Sequence, residues 1–270
     1  MDSKQMKIAA VAAVLVIVVA AVAVYFVTKD KDNGSDESKV TFLIQDNVGV
    51  YFWAEGSGDT VLDALKDACN DYDIKFVASS ENGVDTGIKS LFGLEMKADE
   101  AGNWSWWTQY GYTNNAWETS ASYMNELKSK DNAYFALVYG DGKVAPLVDP
   151  SQAKVWKDNY NGTAFLIQSE SGMQFYINGE GKTVLDAFKD AASTYAVPNV
   201  LSMDGSGVVF GIDSLFGISY KEVTPGVYYY WAQFQYDKDT GKLTLEQSFM
   251  NNILSADRDF VAIIFGTGEA

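Results

Sequence analysis

The segment TVLDALKDA at residues 60–68 returns as TVLDAFKDAA from residue 183, an offset of 123 positions. This repetition constrains the fold more than any other feature, because it extends far beyond one helix. TFLIQ at 41 returns as AFLIQ at 164, GIKSLFG at 87 as GIDSLFG at 211, and WWTQY at 106 as YWAQF at 230. SYMNELKSKDNAYFALVYG at 122 returns as SFMNNILSADRDFVAIIFG at 248. The offset drifts only from 123 to 126, which confines insertions to loops. A period of this length is a duplicated domain, since solenoid units repeat every ~20–50 residues.

Each copy must bury its own core, so positions kept apolar in both copies mark that core. In the repeated helix they are Val61, Leu62, Leu65, Ala68 and Cys69, against Val184, Leu185, Phe188, Ala191 and Ala192. Their spacing forms one stripe on a 3.6-residue period. Thr60 and Thr183 each stand three residues before an aspartate, the pattern of a capping box. Asp63, Lys66 and Asp67 fall on the opposite face, as an ordinary solvated surface. The remaining segments, VTFLIQ, GVYFWAE, NWSWWTQYGY and AYFALVYG, are β-branched or aromatic and bounded by Gly, Asn and Asp, as strands are. DKDTGK at 237–242 reads as a hairpin turn. The expectation is α+β, two tandem repeats that are each a mainly antiparallel sheet with one packed helix. The predicted boundaries are repeat 1 over 40–140, a linker over 141–162, and repeat 2 over 163–270.

Residues 8–27 carry no charge over twenty positions, long enough at 1.5 Å per residue to span the hydrocarbon core of a bilayer. Lys4 and Lys7 precede the run, and Tyr25 and Phe26 sit where an interfacial belt would lie. The segment 1–28 is read as an N-terminal membrane anchor. Its rival is a cleaved signal segment, because Ala21-Val22-Ala23 has the form of a cleavage site. Residues 29–39 read as a polar stalk. The expected location is the cell membrane, single-pass, with the C-terminal domains on the extracytoplasmic side.

Composition removes much chemistry. There is no histidine, so triads and zinc sites that need it are excluded. One cysteine, Cys69, permits no intramolecular disulfide, and Arg258 is the only arginine. A formal net charge of −16 argues against nucleic acid as a partner. No nucleophile elbow, phosphate loop or metal-ligand cluster is present in the sequence. The copies share no carboxylate off the solvated helix face that could serve as a common acid or base, so no catalytic residue, metal ligand or cofactor is expected. Asp-rich segments at 30–37 and 237–246 miss the calcium-loop spacing, with glycine at the fifth position instead of the sixth.

The candidate ligand-binding residues come from the aromatic hairpin. On a strand, Trp107 and Gln109 share one face, opposite Trp104, Trp106 and Tyr110. Trp231 and Gln233 repeat that pair at the same pleat phase. Such a pair is either a stacking platform beside an orienting amide, or a core tryptophan beside a glutamine bonded to backbone. Tyr112, Asn114, Asn115 and Trp117 add a polar aromatic loop in copy one. Asn103 and Asn161 fit the short N-glycosylation pattern.

In order and kind these motifs resemble the transcobalamin-like C-terminal domain family, of unknown function, found in exported prokaryotic proteins. The resemblance rests on TVLDALKDA, GIKSLFG, WWTQYGYTNN and YFALVYG, and on TVLDAFKDA, GIDSLFG, YYYWAQF and FVAIIFG. It covers nearly all of 40–140 and 163–266. In the cobalamin carriers that name the family, the domain closes over a corrinoid beside a helical domain. This sequence contains no such helical domain, and copy two has Tyr236-Asp237 where the hairpin asparagine stands in copy one. The expected function is thus a non-enzymatic, membrane-anchored binding protein for a small ligand, a corrinoid or a sugar. The alternative is a cell-surface adhesion or envelope protein whose domains act as spacers.

Overall fold

A computed structural model describes residues 38–153, 162–237 and 242–268. The apolar run 8–27 and most of the stalk lie outside the described residues. So do Asn161, the acidic segment 30–37, and the turn residues 238–241. No helix among the described residues is long and apolar enough to cross a membrane. Residues Ser38–Ala270 form one compact unit.

The architecture is α+β, in two similar sheet-rich halves. In the first, β1 (Lys39–Gln45) and β2 (Tyr51–Ser57) form a hairpin that leads into helix α1 (Val61–Asp71). A small three-stranded meander follows, β3 (Phe76–Glu81), β4 (Val84–Leu91) and β5 (Leu94–Glu95), and then the short β6 (Lys97–Ala98). The long strand β7 (Trp104–Thr113) turns into β8 (Ala116–Thr119), and β9 (Tyr134–Gly140) closes the half. The second half repeats this as β10 (Thr163–Gln168), β11 (Gln174–Gly179), α2 (Val184–Thr194), β12 (Asn199–Met203), β13 (Val209–Leu215), β14 (Ile218–Ser219), β15 (Lys221–Thr224), β16 (Val227–Asp237), β17 (Lys242–Leu245) and β18 (Phe260–Gly266). The main sheets run β2-β1-β9-β7-β6 and β11-β10-β18-β16-β15, with β8 and β17 paired to β7 and β16. Each main sheet contains one parallel pair, β1 with β9 and β10 with β18, among antiparallel neighbours. The expected hairpin between β16 and β17 is formed, with Asp237 opposite Lys242.

Each helix packs almost backbone to backbone on its strand. A Cβ at Gly56 would lie 2.0 Å from the Ala64 carbonyl oxygen, and one at Gly179 would lie 2.1 Å from that of Ala187. The glycines of EGSG and NGEG are therefore spacers, and the helices bury Val61, Leu62, Leu65 and Val184, Leu185, Phe188 beneath them. Thr60 and Thr183 cap the helices by accepting from the Asp63 and Asp186 amides, both at 3.2 Å. The helix aspartates are more than a solvated face. Asp67 accepts from the Ser57 amide at 2.7 Å and Asp190 from the Glu180 amide at 2.9 Å, tying each helix to the end of its strand.

Cys69 is a core residue whose counterpart is Ala192, and burial pushes its thiol pKa up to about 12. Because the thiolate is the reactive form, the native protein is expected to resist alkylation at pH 8 and to label fully in urea. Cys69→Ala should cost less than about 1.5 kcal/mol, the ceiling for a tolerated small core exchange. Thiol labelling kinetics and a urea titration check both statements.

The halves share one core. The inner faces of both sheets, with both helices, belong to a single continuous set of buried apolar side chains. Their relation is pseudo-two-fold, since equivalent residues meet each other. Phe52 stacks on its counterpart Phe175 at 5.1 Å between ring centroids. Asp46 accepts from the hydroxyl of its counterpart Ser169 at 2.6 Å. Self-meeting counterparts are the mark of an isologous interface, as in a two-fold dimer. The repeated Leu-Phe-Gly turn serves the same contact. Phe92 and Phe216 sit in left-handed backbone at φ 56° and 55°, a strained conformation for such a residue. Their rings offset that strain by packing edge-on at the junction, Phe92 on Phe52 at 6.0 Å and Phe216 on Tyr51 at 5.1 Å.

Residues 141–153, the described part of the segment before the second half, are strapped across the outer face of the first sheet. Gln45, fully buried, donates to the Ala145 carbonyl at 3.1 Å and accepts from the Leu147 amide at 2.8 Å. The Tyr110 hydroxyl donates to the Val144 carbonyl at 2.9 Å. Val144, Val148 and Ala153 pack over the outer cluster of Leu43, Trp53, Tyr110, Ala136 and Val138.

Candidate functional site

Strand alternation places the candidate residues of copy one on opposite faces of the first sheet. Trp107 and Gln109 point inward, whereas Tyr112 and Trp117 point outward beneath the strap. The Trp117 indole donates to the Val148 carbonyl at 2.8 Å, and its ring meets Tyr112 edge-on at 5.0 Å. Asn114 and Asn115 occupy left-handed backbone, φ 50° and 61°, at the tip of the β7–β8 hairpin. Two central residues with positive φ make the tight turn that suits strand twist. The asparagines thus serve the turn, and the four residues do not converge on Trp107 and Gln109. Asn103 is exposed and donates to Asp99 through its backbone amide at 2.8 Å and its side chain at 2.9 Å.

The repeated tryptophans are core residues. Trp107 is 8% exposed and Trp231 7%. Each indole N–H donates to a backbone carbonyl of the meander, Leu94 at 2.9 Å and Ile218 at 2.8 Å. Each ring also packs on the closing strand, against Tyr139 at 5.2 Å and Phe265 at 5.1 Å. Of the two readings open for this pair, the buried tryptophan is the one the geometry carries. Trp107→Ala or Trp231→Ala should cost about 3–5 kcal/mol, measured as a fall in the urea midpoint.

The glutamines differ from them. Gln109 and Gln233 each retain one buried amide atom, Oε1 and Nε2 respectively, for which no protein group supplies a hydrogen bond. An amide presents one acceptor and one donor end that exchange by rotation, so the shared feature is one unsatisfied end. An unpaired buried polar atom costs about 1–3 kcal/mol, and the duplication has kept it twice. Asn125 with Asn251, and Ser129 with Ser255, show the same pairing of unsatisfied buried atoms in the loop before the closing strand.

In the second half the glutamine lines an open groove of about 400 Å³. Gly211 with Ser202 beside it on the paired strand forms its floor, and Phe210, Phe249, Trp231 and Gln233 are among the other lining residues. A glycine inside a strand weakens it and marks a place where something approaches the backbone closely. In the first half the Gln109 amide itself fills that space, 3.5 Å from where a Cβ on Gly87 would stand. At Gly211 such a Cβ meets no atom within 4 Å. The far rim differs too. Tyr123 donates to the Glu81 carboxylate at 2.8 Å, while its counterpart Phe249, lacking a hydroxyl, rests on Phe210 at 4.8 Å between centroids.

Glu246 is the one ionisable acid or base on the groove lining apart from the phenol of Tyr230, and its charge is committed. Its carboxylate accepts from Arg258 at 3.0 Å and from the Ser248 amide at 2.9 Å. Burial pushes its pKa up, but the Ser248 amide and the Arg258 guanidinium outweigh this and hold it below the usual carboxylate value. A depressed pKa means the ionised form is favoured by folding. That contribution is complete above the unfolded carboxylate pKa and is lost as pH falls through the lower folded one. Acidification from pH 6 to below 4 should therefore loosen the 245–250 rim, and Glu246→Gln should flatten that dependence. Near-ultraviolet circular dichroism across the titration reads both.

Among the described residues no group of acids and cysteine is placed to hold a metal ion. Comparison with protein-family models finds no match, and comparisons with curated proteins and with solved structures find none. The glutamine groove was only half visible in the sequence. The Trp-x-Gln repeat pointed to Gln233, but Gly211, Ser202, Phe210 and Phe249 come from three other segments. The one signal that leads to the floor is the glycine of GIKSLFG and GIDSLFG, retained in both copies.

Proposed function

We propose that this protein is a non-enzymatic, membrane-anchored binding protein whose second half takes a small ligand on the extracytoplasmic side. The observation that carries the reading is the groove over Gly211, whose lining combines the Phe249 ring with Gln233, Ser202, Gln247 and Ser248. Its volume, about 400 Å³, falls within the ~300–1,000 Å³ usual for small-molecule sites, which pair apolar walls with a few placed polar groups. The uncharged run 8–27 supports the anchor. The resemblance to the transcobalamin-like domain supports a ligand-binding role and brings a corrinoid into the test.

The experiment is side-chain amide NMR of the full chain in nanodiscs, titrated with cyanocobalamin and with neutral oligosaccharides. Gln233→Ala assigns the signal. The Gln233 amide should shift saturably with one of these probes while the Gln109 amide stays in place. Shifts confined to other surfaces, or none with any probe, would contradict the reading. A second reading, a surface adhesion or spacer protein, is favoured by the exposed Trp104, Trp106, Tyr220 and Tyr228 on the outer faces. It predicts that Gln233 stays silent with every small molecule.

A further inference from the structure

We infer that the ligand of the Gly211 groove is a neutral saccharide, a proposal that rests on the groove being a ligand site at all. Three properties of the lining select this class. The first is charge. The lining carboxylate, Glu246, is already matched by Arg258 and the Ser248 amide, so the groove offers no free charge for an anion or a cation to neutralise. An ionised ligand would find no counter-charge there. The chain's net charge of −16 disfavours anions further.

The second is the division of the walls. Phe249 is 57% exposed, and Phe210 braces its ring from the side at an interplanar angle of 51°. Beside this apolar surface the groove lining carries the polar residues Gln233, Ser202, Gln247 and Ser248. A sugar ring has the matching division, a C–H face that packs on an aromatic ring and a rim of hydroxyls. Sugar hydroxyls both donate and accept, which suits a lining of serine hydroxyls and glutamine amides that together do the same.

The third is size and floor. A groove of about 400 Å³ holds one or two sugar rings, whereas a whole corrinoid with its side-chain amides is too broad to enter. The bare backbone of Gly211 lets a flat ring settle against the strand. No atom lies within 4 Å of a Cβ built there, and its backbone is outside the left-handed region, so a side chain can be added without strain. Gly211→Val is thus a variant that obstructs the groove and leaves the fold intact.

The test is calorimetric titration of the full chain in nanodiscs with maltotriose, cellotriose, mannotriose and N-acetylated chitotriose. Charged comparators are trigalacturonate and the deacetylated chitotriose, and cyanocobalamin forms a separate arm. At least one neutral trisaccharide should bind saturably with Kd between about 10 μM and 1 mM, and the charged comparators at least ~10-fold more weakly. Gly211→Val and Phe249→Ala should each weaken that binding by at least ~10-fold, with wild-type circular dichroism. Failure of every neutral saccharide, or equal binding of a charged one, overturns the inference. Binding of cyanocobalamin that Gly211→Val abolishes overturns the saccharide class and leaves the groove reading standing. Binding of any probe that survives Gly211→Val overturns both, as does the absence of all binding.

Discussion

Asp46→Ala should lower the stability of the whole chain by about 3 kcal/mol, the magnitude expected when a buried carboxyl group is removed and several buried donors lose their acceptor. Asp46 is fully buried at the junction of the two halves. One carboxylate oxygen accepts from the Val48 and Val50 amides at 3.1 and 2.9 Å, and the other from the Ser169 and Ser171 hydroxyls at 2.6 and 2.7 Å. Alanine strands all four donors. The two hydroxyls, already 2.7 Å apart, can partly satisfy each other, which keeps the loss from being larger. Asp46→Asn should cost about 1 kcal/mol, because its amide oxygen still accepts from the backbone while its N–H group donates to hydroxyls that also accept. Urea unfolding followed by tryptophan fluorescence and far-ultraviolet circular dichroism gives both values. Because the halves share a core, the two probes should report one coincident transition. A variant that loses only half of the signal at low urea would show that the junction is not cooperative.

Gly56→Ala is expected to have an effect of similar size from a single methyl group. The added carbon would sit 2.0 Å from the Ala64 carbonyl oxygen and 2.6 Å from the Ala68 amide nitrogen, both backbone atoms of α1. No side-chain rotation can relieve that overlap, so the helix must lift from β2 and open the core over Val61 and Leu65. Overpacking of this kind costs about 1–3 kcal/mol where the structure can shift, and here the cost should lie at or above the upper end. Gly179→Ala should behave alike against Ala187, at 2.1 Å. Gly211→Ala is the control, with open space around the added carbon. It should change stability by no more than about 0.5 kcal/mol. The ordering of the three alanine variants in one urea series is the measurement.

Periodicity made the helices and their buried stripe legible, because one face of an eleven-residue helix repeats through residues as distinct as Leu62 and Cys69. The Thr60 and Thr183 caps were equally plain. Pairing across the sheet was not. A parallel β1–β9 contact joins segments about ninety residues apart and leaves no local pattern in either. Within the segment 141–162, read as a linker, residues 141–153 are held as a strap by Gln45, Tyr110 and Trp117, a role that depends on the outer apolar face they cover. The fusion of the two cores also escaped the sequence. Phe52, Phe92, Phe175 and Phe216 are ordinary apolar residues until the pseudo-two-fold axis brings them together. At the candidate site, strand alternation located Trp231 and Gln233 on one face. Burial then separated them into a structural tryptophan and a glutamine with an unsatisfied end.

The deciding measurement is a crystal structure of the chain with whichever neutral trisaccharide titrates best. A sugar ring should lie over Gly211, against the Phe249 ring, with a hydroxyl about 3 Å from the Gln233 amide. A sugar bound instead on the outer face at Trp104 and Trp106, with the groove over Gly211 empty, would contradict it.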